Sequence, residues 1–133
     1  MAMGIVLLAA RFASAAGDAK TDAAVKVAEA WLAMVDGGRY DDSWDNAASL
    51  FQKAVESGPW SRQLGGVRSP LGKVVKRELL SAKYTTALPG APDGEYVVIQ
   101  FKTTFENKKS AIETITPMKD GARGWRVSGY YIK

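Results

Sequence analysis

The chain has 133 residues, 47% of them hydrophobic and 24% charged, which is the make-up of one folded globular domain and excludes a disordered or fibrous chain. It contains neither cysteine nor histidine, so disulfides, thiol catalysis, thiolate metal sites and any imidazole-based triad are excluded. The net charge of +4 is a mild excess, and its densest groups (Lys73, Lys76, Arg77 and Lys83; Lys108 and Lys109) come with no nucleic-acid-binding motif and read as a solvated face.

Residues 2–10 form a short apolar run, followed by Ala13-Ser14-Ala15 and Ala16-Gly17. An apolar stretch ending in small residues spaced A-x-A is the substrate of signal peptidase, so residues 1–16 are expected to be a signal peptide and residues 17–133 a single domain. The run is too short to span a bilayer, which needs about 20 apolar residues. No Lys or Arg precedes it, and Arg11 follows it. The alternative is a helix of the folded domain or a tail.

Ala24, Val27, Ala28, Trp31, Leu32 and Val35 recur at the i, i+3, i+4, i+7 spacing of an amphipathic helix. Thr21 or Asp22 is the expected cap and Gly37-Gly38 the stop. Trp44, Ala47, Ala48, Phe51 and Val55 predict a second helix over 42–56, capped by Asp41 or Asp42 and broken at Gly58-Pro59. A third is expected from Pro59 to about Leu64, closed by Gly65-Gly66.

From Val74 the character turns mostly to β. Residues 74–87 suit a strand, although a helix also fits. Pro89 to Gly94 is a turn. Glu95 to Phe105 alternates, with Val97, Ile99, Phe101, Thr103 and Phe105 expected on the buried face. Ala111 to Met118 and Trp125 to Ile132 complete the set, with turns at Asn107–Lys109 and Asp120-Gly121. Helices first and an antiparallel meander after them predict an α+β domain, with helices packed on one face of a curved four-stranded sheet. Trp31, Trp44 and Phe51 are expected in the core. Tyr130 and Tyr131, adjacent on a strand, must point to opposite faces.

The segments WLAMVDGGRYDDSW (31–44), VRSPLGKVVKREL (67–79), TTALPGAPDGEYVVIQFKTTFENKKSAIETIT (85–116) and GWRVSGYYIK (124–133) together resemble the bacterial domain of unknown function 4019 (DUF4019). The resemblance covers nearly all of the expected mature chain. It implies export, since the family's members are mostly predicted exported proteins of Gram-negative bacteria. It implies a cystatin-like or NTF2-like roll, but no activity. The nearest string to a cystatin inhibitory loop, Gln63-Leu64-Gly65-Gly66-Val67, has the wrong order, and no motif marks the Asp and Tyr that NTF2-like isomerases use.

The polar residues that stand out are Arg68, Arg77 and Glu113. Glu113 lies among apolar neighbours in a strand, where an inward carboxylate needs a cationic partner. Arg68 precedes Ser69-Pro70-Leu71-Gly72, a turn that can aim it at the sheet. An arginine and a carboxylate lining a ligand pocket is one reading; an ion pair tying a loop to the sheet is the other. Tyr84, Tyr96, Tyr130 and Tyr131 can line a cavity or pack on the sheet. Asp36, Tyr40, Asp41 and Asp42 lack calcium-loop spacing and suit capping. No catalytic residue, metal ligand or cofactor is assigned. The expected role is a non-enzymatic periplasmic or secreted module that binds a small molecule or an envelope protein, with no nucleic-acid partner and no transmembrane segment in the mature chain. The alternatives are a small carboxylate- and tyrosine-dependent enzyme of NTF2-like type and a structural partner in an envelope assembly.

Overall fold

The computed structural model describes residues 2–133, with side chains from Ala19 onward. Residues 2–16 of the expected signal peptide lie in the helix α1, and their side chains are outside those described. The elements in order are α1 (Ala2–Asp36), α2 (Tyr40–Asp45), α3 (Ser49–Ala54), α4 (Ser57–Leu71), β1 (Val74–Thr85), β2 (Tyr96–Phe105), β3 (Lys108–Lys119) and β4 (Trp125–Ile132). The strands form one open antiparallel sheet in the order β1-β2-β3-β4, a plain meander. The architecture is α+β, as expected; a cystatin-like or NTF2-like roll is a finer statement than these elements make. Among the described residues no helix is long and apolar enough to cross a membrane.

The core forms where the helix stripes meet the alternating face of the sheet. Ala24, Ala28, Trp31, Leu32 and Val35 of α1 and Trp60 and Leu64 of α4 are buried against Val97, Ile99, Phe101, Ile115, Trp125 and Val127. The expected inward set of β2 is buried throughout, Thr103 included, and Phe51 is buried while Trp44 is only partly so. Tyr130 packs on the core and Tyr131 faces out, as the strand's two-residue period requires. Tyr96 is also buried, and its hydroxyl donates to the Pro92 carbonyl across the preceding turn.

Four local expectations are corrected. First, α1 passes uninterrupted through Thr21 and Asp22, so neither caps it. Its end at Gly37-Gly38 is as expected: Gly38 takes φ 76°, and the Gly38 and Arg39 amides return to the Val35 and Met34 carbonyls.

Second, the helix expected over 42–56 is two short helices. The edge of β4 captures the chain between them: Ala47 bridges Val127, and the Ala48 amide donates to the Val127 carbonyl at 2.7 Å. Asp120 then accepts from both the amide and the hydroxyl of Ser49 where α3 starts. These bonds come from residues more than 70 positions away, which local periodicity does not register.

Third, Asp41 and Asp42 cap nothing. α2 begins at Tyr40 with no side-chain cap. Asp41 instead accepts from the Ser61 hydroxyl of α4, and Asp42 lies 3.6 Å from Arg39.

Fourth, α4 runs through Gly65-Gly66 to Leu71. Trp60, Leu64 and Arg68 fall at four-residue spacing on one buried stripe, and that packing outweighs the roughly 1 kcal/mol per glycine lost in helix propensity. Gly65 serves close approach: a Cβ there would lie 3.3 Å from the Tyr40 ring. The helix ends instead at Gly72, whose φ is 77°.

The ambiguous stretch after residue 73 is a strand, β1. Its register slips at Val75 and at Leu80, so two bulges interrupt the alternation. Val75 and Leu80 are exposed in consequence, as is Leu79.

Candidate functional site

Sheet register brings the first group of side chains together. Arg77 of β1 sits opposite Thr103 of β2, Thr103 opposite Ala111 of β3, and Glu113 follows Ala111 by two positions on the same face. Tyr130 of β4 faces Ile115 and so shares that face. The four polar side chains are therefore neighbours beneath the helices.

Glu113 is completely buried and accepts four hydrogen bonds. Arg77 grips it with both edges of a fork, Nε to Oε1 at 2.7 Å and Nη2 to Oε2 at 3.2 Å. The Thr103 hydroxyl donates to Oε1 and the Tyr130 hydroxyl to Oε2. Arg77 also holds Asp36, through Nη1 to Oδ2 at 2.7 Å and Nη2 to Oδ1 at 3.0 Å. Asp36 in turn accepts from Arg68 Nη2 at 2.8 Å. The order of charges is thus Arg68, Asp36, Arg77, Glu113: two of each sign, each carboxylate between cations or held by one.

Ser69 to Leu71, expected as a turn after Arg68, instead complete α4, and Arg68 on that helix is 5% exposed. Its guanidinium stands 5.0 Å over the Phe105 ring, and its Nε and Nη1 find no acceptor among the described residues. The aromatic face compensates part of that burial.

The protonation states follow from these contacts. Burial alone pushes the Asp36 carboxyl up, but the hydrogen bonds from Arg77 and Arg68 and their charges outweigh it and hold it below the ordinary aspartate value. For Arg77, burial works against the charge and the bonds to Asp36 and Glu113 overcome it, so its affinity for the proton is raised. Burial pushes the Tyr130 phenol well above its ordinary value, and the Glu113 charge adds to this. Tyr130 is therefore a fixed hydrogen-bond donor and not a base at physiological pH.

Because Asp36 binds its proton more weakly in the fold than in the unfolded chain, it contributes stability that is complete above the unfolded aspartate value of 3.8 and fades as pH falls through the lower folded value. Asp36→Asn is expected to be less stable than the parent at pH 7, with the gap closing below pH 3.8. Urea midpoints measured across that range check it; a gap independent of pH would contradict the pairing.

The sequence expectations for this site meet the structure as follows. Arg77 and Glu113 are directly paired, and Arg68 joins them only through Asp36, a residue expected to serve capping. Thr103 had a signal: it was the one polar side chain on an otherwise apolar inward alternation. Asp36 had none, since its partners lie 32 and 41 positions away. Tyr84 turns to a different contact, donating to Glu95, which also accepts from Lys20.

Two pockets open on the domain, the second walled in part by Tyr130 of this cluster. The first, about 260 Å³, lies between α1 and the start of β4 and is lined by Trp31, Met34, Arg123, Trp125 and Arg126 among others. The second, about 230 Å³, is lined by Trp60, Leu64, Val67, Tyr130, Tyr131 and Ile132. Trp31 links them. It lines the first, and its ring meets Tyr130 at 5.3 Å and Trp60 at 6.3 Å, both walls of the second. Buried Ser43 anchors the aromatic group: its carbonyl accepts from Trp31 Nε1 at 2.8 Å and its hydroxyl from Trp60 Nε1 at 3.0 Å.

The chain matches the family described as "Protein of unknown function (DUF4019)" over residues 27–130. It belongs to that family. The matched segment contains the whole charge cluster, the first pocket and β1 to β3, and it reaches Tyr130 of β4, two residues short of that strand's end. No curated protein and no solved structure matches the chain.

Proposed function

We propose that this DUF4019 domain is an exported, non-enzymatic module of the cell envelope that binds a small molecule or a partner protein. The observation that carries the reading is a division of labour around Trp31. The buried carboxylates Glu113 and Asp36 are taken up by Arg77 and Arg68, while two open pockets with aromatic walls meet at Trp31. Concave sites with apolar aromatic walls and a few polar groups are where proteins take ligands.

The enzymatic alternative draws less support. A general base needs a free lone pair near a substrate. Glu113 already accepts four donors and is sealed from solvent, Asp36 accepts from two arginines, and Tyr130 holds its proton tightly. The protein-partner form of the reading has its own support in exposed apolar side chains: Val67 and Tyr131 beside the second pocket, and Val75, Leu79 and Leu80 on β1. Export rests on the A-x-A pattern after the apolar run and on the family resemblance.

Native mass spectrometry of protein gently recovered from its own host's periplasm tests the proposal. The expected species begins at Ala16 or Gly17 and carries a bound small molecule. The bare mature mass moves the reading to a protein partner. An uncleaved chain found in the cytoplasm contradicts export.

A further inference from the structure

The first pocket has an electrical feature that its neighbour lacks. Arg126 is partly buried in its wall, yet its hydrogen bonds go only to backbone carbonyls: Nε to Asn46 at 3.2 Å and Nη2 to Asp45 at 3.3 Å. Those carbonyls, at the end of α2, supply partial charge and no full counter-charge. No carboxylate pairs with Arg126 among the described residues. The pocket's other arginine, Arg123, has Asp120 at 3.3 Å, but Asp120 already accepts both donors of Ser49. Burial first, and the Arg123 charge second, press the Arg126 guanidinium below its ordinary value despite Asp120. Two guanidinium groups against one carboxylate leave one positive charge uncompensated in a half-enclosed site.

Apart from Asn46, the rest of the wall is apolar. Val27, Trp31 and Met34 of α1 face Trp125, which is only 9% exposed. The volume, about 260 Å³, is below the roughly 300–1,000 Å³ of pockets for drug-sized ligands. It suits one ring or a short chain.

We propose that this pocket binds a small organic monocarboxylate, its apolar body between Trp125 and Trp31 and its carboxylate on Arg126. The inference rests on the binding-module reading and gives its ligand a class. A guanidinium fork matches a carboxylate in plane, and a monoanion cancels the single excess charge. A neutral molecule of the same shape fills the space but leaves Arg126 uncompensated.

The test titrates the full chain with benzoate, with hexanoate and with benzamide, the neutral counterpart of benzoate, following the indole N–H resonances by NMR. Saturable shifts of the Trp31 and Trp125 signals are expected with at least one carboxylate, and binding of benzamide about tenfold weaker or less, the equivalent of one lost charge-assisted hydrogen bond. Arg126→Met retains the apolar stem. With its unfolding midpoint checked against the parent, it is expected to lose the carboxylate preference and keep the benzamide response, whereas Tyr131→Ser in the second pocket changes neither. Equal binding of benzamide, unaltered carboxylate binding by Arg126→Met, or no response to either carboxylate overturns the inference. A neutral ligand in the native mass spectrum overturns it while leaving the binding-module reading intact; absence of any small molecule there overturns it too and moves the reading beneath it to a protein partner.

Discussion

Glu113→Ala is expected to lower folding stability by about 3–5 kcal/mol, the usual cost of breaking a buried ion pair from one side. The size comes from what is left behind. Arg77 would lose a two-point grip inside the domain, and Thr103 and Tyr130 would keep buried hydroxyl donors with no carboxylate to receive them. A domain of this size has only about 5–15 kcal/mol in total, so the variant would be partly unfolded under mild conditions. Asp36 softens the loss, because it continues to hold Arg77 from its other side. Urea unfolding gives the number, and a cost below about 1 kcal/mol would show that the cluster contributes little to the fold. Replacing both partners, as Arg77→Met with Glu113→Leu, is expected to recover only the part of the cost that comes from the unpaired guanidinium, because the Thr103 and Tyr130 hydroxyls still lose their acceptor and Asp36 keeps Arg68 alone.

Trp31→Ala carries the second large effect, about 3–5 kcal/mol for deleting a buried indole. Trp31 is 2% exposed, holds the rings of Trp60 and Tyr130, and ties α1 to the Ser43 carbonyl. Trp31→Phe separates the two contributions. It keeps most of the ring contact and removes only the N–H, at an expected cost of about 1 kcal/mol plus some lost packing. Near-equal losses for the two variants would place the stabilisation in the hydrogen bond and not in the aromatic cluster. Both variants also merge or reshape the two pockets, so ligand occupancy is expected to fall in Trp31→Ala even where the domain remains folded.

Legibility in the sequence followed the range of the forces involved. The amphipathic stripe of α1, the alternation in β2 and the turn residues at Pro89 to Gly94 are local, and each reads correctly. Glu113 could be singled out because a charged residue among apolar strand neighbours needs a partner. What the chain's order concealed was set at long range. Capture of Ala47 and Ala48 by the β4 edge split a helix that periodicity joins, and the Tyr40 ring against Gly65 turned an apparent stop into a packing contact. The bulges at Val75 and Leu80 left β1 open between strand and helix, because two insertions restore neither the helical nor the strand period. Asp36 was read as a cap, since nothing near it in sequence announces two arginines from α4 and β1.

On the proposed reading, buried charges hold the fold and pockets hold a ligand. The native mass spectrum of the Arg77→Met/Glu113→Leu variant, prepared from the host alongside the parent, tests that division most directly. A folded, mature chain carrying the same small molecule at the same occupancy as the parent is the expected result. A folded variant that has lost the ligand would contradict it, and would place the binding site on the charge cluster itself.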